Sequence, residues 1–164
     1  MSGLARGIFV SAILSVLIIT APARAETLTG LPKVVDGDTL RIGERRIRLY
    51  GIDAPDERQT CLLDGRPWGC GRDAMFALAY VVGYHWVTCE VREHRGELAI
   101  AVCHAGPEDL AESMVRAGFA LAQQNVTGAY DDAEAAARRA KVGLWKSEFV
   151  KPWEWKPAES KLSP

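Results

Sequence analysis

Between Glu26 and Asp53 the chain breaks into short runs punctuated by turn residues, LTGLP, KVV, DGD, TLRI, GER and RIRLYGI. Runs this short leave no room for a helix and admit only a meander of small strands. Ile47 and Leu49 alternate with Arg46 and Arg48 at the period of two that marks a strand with one dry and one wet face. Gly43-Glu44-Arg45 reads as the hairpin turn before that strand. Further on, GRDAMFALAYVVG sets Met75, Phe76, Leu78, Ala79 and Val82 at helical spacing and stops at Gly83. Two more strands follow, WVTCEVR and LAIAVC, joined by EHRGE. Pro107-Glu108-Asp109 then opens a second helix with Leu110, Met114 and Val115 on its apolar side, ending at Gly118, and AYDDAEAAARRAKVG is a third, with acids first and bases last as the helix dipole favours. The expected class is α+β: a five-stranded OB-fold β-barrel with about three helices.

The first 25 residues stand apart. MSGLARG is basic, IFVSAILSVLIIT is apolar, and Ala23-Arg24-Ala25 is a cleavage-type triplet, so residues 1–25 are expected to be a signal peptide, with the domain spanning 26–155 and a disordered tail at 156–164. The expected location is periplasmic or secreted, without a membrane association after cleavage, and the expected state is a monomer. Removing Arg6 and Arg24 with that segment turns 20 basic and 21 acidic residues into 18 and 21, a net charge of −3. That excludes a broad basic surface and leaves room only for a local cluster such as Arg41, Arg45, Arg46 and Arg48. In an oxidising compartment four cysteines favour disulfides, and of three pairings Cys61–Cys70 with Cys89–Cys103 closes the shortest loops. Zinc is the competing use, but no C-x-x-C occurs, and His85, His94 and His104 lack ligand spacing.

Two acidic sites flank the hairpin. Asp36-Gly37-Asp38-Thr39 alone is a weak signal, since any turn uses aspartate and glycine to reach unusual backbone angles, and it matches only the head of an EF-hand loop. Asp53-Ala54-Pro55-Asp56-Glu57 ends the next strand at a proline. With Arg48 between them, the two clusters suit a hard cation holding a phosphate from one side while a guanidinium holds it from the other.

DGDTLRI followed by RIRLYGIDAP resembles the staphylococcal nuclease-like, or thermonuclease, family, and the likeness continues through DLAESMVRAGFALA, ARRAKVGLW and PWEW. The resemblance implies a five-stranded barrel and a Ca²⁺-dependent nuclease acting on DNA or RNA. Matched by motif position, Asp38 and Asp53 are the metal carboxylates, Ala54 offers a backbone carbonyl, Asp36 and Thr39 support the metal site, and Arg48 binds the phosphate. Asp56 stands where the family places a glutamate that orients or deprotonates the attacking water. Glu97 follows Gly96 where active members usually carry a phosphate-contacting arginine, which leaves Arg95 or Arg92 as the candidate replacement. Gln123, Gln124 and Asn125 stand where tyrosines often contact the nucleotide. A catalytically weak envelope-binding module, for nucleic acid or an extracellular polysaccharide, is the alternative.

Overall fold

The computed structural model describes residues 26–156, so the expected signal peptide and all but Lys156 of the expected disordered tail lie outside the described residues. The strands are β1 (Thr27–Gly30), β2 (Lys33–Asp36), β3 (Thr39–Ile42), β4 (Arg45–Leu49), β5 (Ile52–Asp53), β6 (Cys61–Leu63), β7 (Arg66–Trp68), β8 (Val87–Arg95), β9 (Leu98–Ala105), β10 (Glu108–Asp109) and β11 (Leu121–Ala122). The helices are α1 (Cys70–Val82), α2 (Leu110–Arg116) and α3 (Asp131–Ala140), with 3₁₀ turns at Gly143–Lys146 and Pro152–Glu154.

The main sheet runs β1-β8-β9-β4-β3-β2, with β10 added to β9. Its two ends are consecutive in the chain, separated only by Leu31-Pro32. Proline has no N–H for the ladder, so one strand splits there: its first half pairs with β8 and its second with β3. The sheet thereby closes into a barrel of five strand positions. Closure is tight, because a Cβ on Gly30 would lie 2.6 Å from Ile42 Cγ2. All pairings are antiparallel except β4 with β9.

Leu40, Ile47, Leu49, Val87, Ala99 and Ala101 fill the interior, and Leu78, Val82, Leu110, Met114 and Val115 from α1 and α2 join the same core. Each large aliphatic side chain buried there contributes about 1.5–3 kcal/mol. The buried stripe of α1 is Cys70, Gly71, Ala74, Leu78 and Val82. It differs from the stripe expected from sequence: Phe76 is 56% exposed and Ala79 faces solvent, because the i, i+4 row of small residues lets the helix sit closer to the barrel than a Phe76-centred face would.

Both disulfides are present. Cys89 and Cys103 are directly opposed on β8 and β9 and buried inside the barrel, and Cys61–Cys70 ties β6 to the first residue of α1. The segment enclosed by Cys61 and Cys70 is itself a hairpin of β6 and β7. Asp64 and Gly65 both take positive φ there, as a two-residue hairpin turn requires.

Candidate active site

The β2–β3 turn, the end of β4 and β5 bring Asp36, Asp38, Thr39, Arg48, Asp53 and Ala54 to one corner of the barrel. Register does this: Asp36 lies opposite Thr39, and Thr39 opposite Arg48. The Leu49 N–H donates to the Asp38 carbonyl at 2.8 Å, tying β4 to the turn. Gly37 owes its place to space rather than to an unusual backbone angle, since its φ is not positive. A Cβ there would come within 2.8 Å of both the Ala54 and Ala74 methyls, so the turn is pressed against the Asp53-Ala54 segment and α1.

Arg48 is the hub. Its Nε donates to Asp38 Oδ2 at 3.0 Å, its Nη2 lies 2.9 Å from the same oxygen, and Nη2 also donates to Asp53 Oδ1. The remaining Asp38 oxygen accepts from Thr39 Oγ1 at 2.7 Å, and Oδ2 takes a further long bond from the Ala54 N–H at 3.3 Å. Asp38 and Asp53 are 3% and 5% exposed, so both carboxylates are held by protein on most sides.

Asp38 and Asp53 share one guanidinium with Asp36 close by, and burial governs the titration of Asp53 and Asp36. Burial pushes Asp53 up to about 6, against the pull of Arg48 and with the push of Asp38. Burial likewise raises Asp36 to about 6; the Gly37 N–H bond lowers it, while Asp38 and Asp56 add to the rise. For Arg48 burial opposes the charge, but Asp38 and Asp53 outweigh it and raise its pKa. Among the described residues no three His, Cys, Asp or Glu side chains converge into a set that encloses a metal by themselves. Two buried carboxylates, a half-buried third, all-oxygen chemistry and a deficit of positive charge still fit a hard divalent cation that keeps part of its water.

Asp56 lies at the margin. Its Oδ1 accepts from the Arg58 N–H at 3.0 Å and from Arg58 Nε at 3.3 Å, which commits it to a local turn. The loop carrying it is anchored by two residues that sequence reasoning passed over. Gln59 is fully buried and donates from Nε2 to the Val150 carbonyl at 2.6 Å. Gly71 lets α1 pack directly on the loop, where a Cβ would fall 1.7 Å from the Asp56 carbonyl oxygen. Only glycine's general fitness for close approach hinted at the second, and nothing marked the first.

Arg95 stands apart from the aspartates. The strands run through most of EHRGE, leaving Gly96-Glu97 as the turn, with Gly96 at φ +63°. The Arg95 side chain is 66% exposed, and its Nη2 sits 2.7 Å from a Glu93 carboxylate oxygen. Glu93 rather than Arg95 shares the cross-strand row of Arg48, through Ile100. Gln123, Gln124 and Asn125 line an open cavity of about 670 Å³ with Trp145, Phe149 and Trp153. None of Asp38, Arg48 or Asp53 lines it, although Leu121 on its wall pairs with Asp53.

A family model described as staphylococcal nuclease homologue matches residues 46–147, which include Arg48, Asp53, Ala54 and Asp56; the Asp36–Thr39 turn precedes the match. The chain is 30% identical over 145 aligned positions to the succinoglycan biosynthesis protein ExoI of Rhizobium meliloti (strain 1021), covering 85% of this chain and 76% of that protein. It is 29% identical over 165 positions to Protein ParB of Escherichia coli, covering 89% and 88%. An uncharacterized endonuclease of Escherichia coli O157:H7 is 30% identical over 131 positions, covering 76% and 81%. With the match spanning β4 from Arg46 onward, β8, β9, all three helices and the Arg48–Asp53 contact, the chain belongs to the staphylococcal nuclease homologue family.

Proposed function

We propose that the chain is an exported, Ca²⁺-dependent nuclease that hydrolyses phosphodiester bonds of DNA and RNA. The observation that carries this reading is one guanidinium, Arg48, bonded to two buried carboxylates, one from the β2–β3 turn and one from β5, at a corner short of positive charge. Asp38 and Asp53 hold the cation, with the Ala54 carbonyl as a further oxygen. When bound, Ca²⁺ polarises a phosphoryl oxygen and favours ionisation of nearby water.

The residues supply the rest. Arg48 presents a planar fork that can transfer part of its bonding from the aspartates to a phosphate oxygen as charge develops there. Thr39 keeps the Asp38 carboxylate from rotating by its 2.7 Å bond. Asp36 and Asp56, whose charges repel, are the two carboxylates able to take a proton from an attacking water. Two disulfides suit an oxidising compartment, and no described helix is long and apolar enough to cross a membrane.

A second reading, a weakly catalytic envelope-binding module, draws on one observation: Glu93 and not an arginine completes the Arg48 row. It also accords with a relative named for succinoglycan biosynthesis. Hydrolysis of single-stranded DNA by the oxidised protein, with Ca²⁺ or chelator and beside Asp38→Ala, separates the two. Cleavage that needs both Ca²⁺ and Asp38 supports the nuclease; Ca²⁺ binding without any cleavage supports the module.

A further inference from the structure

Of the arginines clustered between β3 and β4, Arg48 alone enters the carboxylate corner. The register places two others with a lysine in a single row: Lys33 on β2 lies opposite Arg41 on β3, and Arg41 lies opposite Arg46 on β4. Leu40 and Ile47, their neighbours along the chain, are fully buried inside the barrel. Since strand side chains alternate, the three cations share the outer face with Thr39 and Arg48. Their row runs beside the Thr39–Arg48 pair, two residues along the strands, about 7 Å away, and spans about 10 Å across two strand spacings.

Like charges directly opposite one another destabilise a sheet, so such a row needs compensation. Elsewhere compensation is present: Arg45 is paired with Glu26, Arg92 with Glu90 and Arg95 with Glu93. Lys33, Arg41 and Arg46 have no ion-pair partner among the described residues. In a chain of near-neutral formal charge, −1 overall, three uncompensated cations in register form a local anion track rather than part of a general basic coat.

We propose that Lys33, Arg41 and Arg46 form a track for the phosphodiester backbone of single-stranded nucleic acid, feeding the strand past Arg48. The assignment rests on the nuclease reading for the meaning of Arg48, and it extends that reading to residues with no part in the chemical step. A narrow cationic row following a backbone is how single strands are gripped without sequence preference.

The test is binding of a fluorescent oligothymidylate in chelator, across a salt series, by wild type and by the triple variant Lys33→Gln/Arg41→Gln/Arg46→Gln. A control of equal charge change, Arg66→Gln/Arg72→Gln/Arg139→Gln, separates the track from net charge. Three lost phosphate contacts should weaken binding about tenfold or more at low salt. They should also reduce the slope of log K against log salt by about 2, at about 0.7 per contact. The control should change neither, and the triple variant should melt no lower than wild type, because repulsion has been removed.

Equal affinity and slope in the triple variant and wild type would overturn the track. So would failure of wild type to bind the oligonucleotide, or tighter binding of polygalacturonate through the same three residues. If wild type cleaves nothing yet oligonucleotide binding falls in the triple variant alone, the track stands and the nuclease reading falls.

Discussion

The carboxylate corner and the tip of the β8–β9 hairpin are built to opposite standards. At the corner the two buried carboxylates are held from other elements: Arg48 bonds Asp38 and Asp53, Thr39 and the Ala54 N–H bond Asp38, and Gly37 leaves no space for the turn to shift. At the tip, Arg95 is two-thirds exposed and paired with its own strand neighbour Glu93. Orientation fixed by several independent contacts is what a transition state needs from its groups. An exposed pair is worth little and holds nothing in place. On the proposed reading the corner carries the cation and phosphate chemistry, while the tip, with Arg95 paired to Glu93, is not preorganised for it.

The largest effects should come from the corner. Asp38→Ala or Asp53→Ala should lower single-stranded DNA hydrolysis by a thousandfold or more at saturating Ca²⁺; a loss under tenfold for either would break the contrast. Arg48→Lys keeps the charge but not the planar fork. It should cost about 10²–10³ in kcat, the range for one preorganised donor, with Ca²⁺ affinity kept. Gly37→Ala should lower stability by about 1–3 kcal/mol through overpacking against Ala54 and Ala74, read from denaturant melts.

Titration sharpens the same contrast. Asp36 and Asp53 have folded pKa values of about 6 against an ordinary 3.8, so between those values the folded state binds more protons than the unfolded. In chelator, their contribution to stability is therefore most favourable below about pH 4, declines as pH rises towards 6, and levels off above it. Added Ca²⁺ should raise the melting temperature at pH 7 and have little effect at pH 4.5, where protons occupy the same oxygens. The smallest effect belongs to the tip, where Arg95→Ala should change kcat less than threefold; a hundredfold loss would show that the hairpin bends into the site during turnover.

Much of this was legible in the chain. The alternation of Ile47 and Leu49 with arginines, the glycine turns and the short cysteine loops follow from local rules, and the barrel follows from them with the family resemblance. Spacing alone could not bring Asp38 and Asp53 together, because that depends on β4 crossing back over the β2–β3 turn. The α1 stripe was misjudged because alanine and glycine packing is invisible to a hydrophobic period that favours Phe76. Gly37 was read as a turn former, whereas its position is set by contacts from residues 54 and 74 that no local window contains. Gln59 gave no signal, since a buried amide whose Nε2 donates to a backbone carbonyl 91 residues away looks like any loop glutamine.

The most direct test of the corner is calorimetric titration of Ca²⁺ into the oxidised protein at pH 7, beside Asp38→Ala, Asp53→Ala and Arg95→Ala. One site is expected in wild type and Arg95→Ala and none in either aspartate variant, with both aspartate variants still folded by circular dichroism. Undiminished Ca²⁺ affinity in both aspartate variants would contradict it.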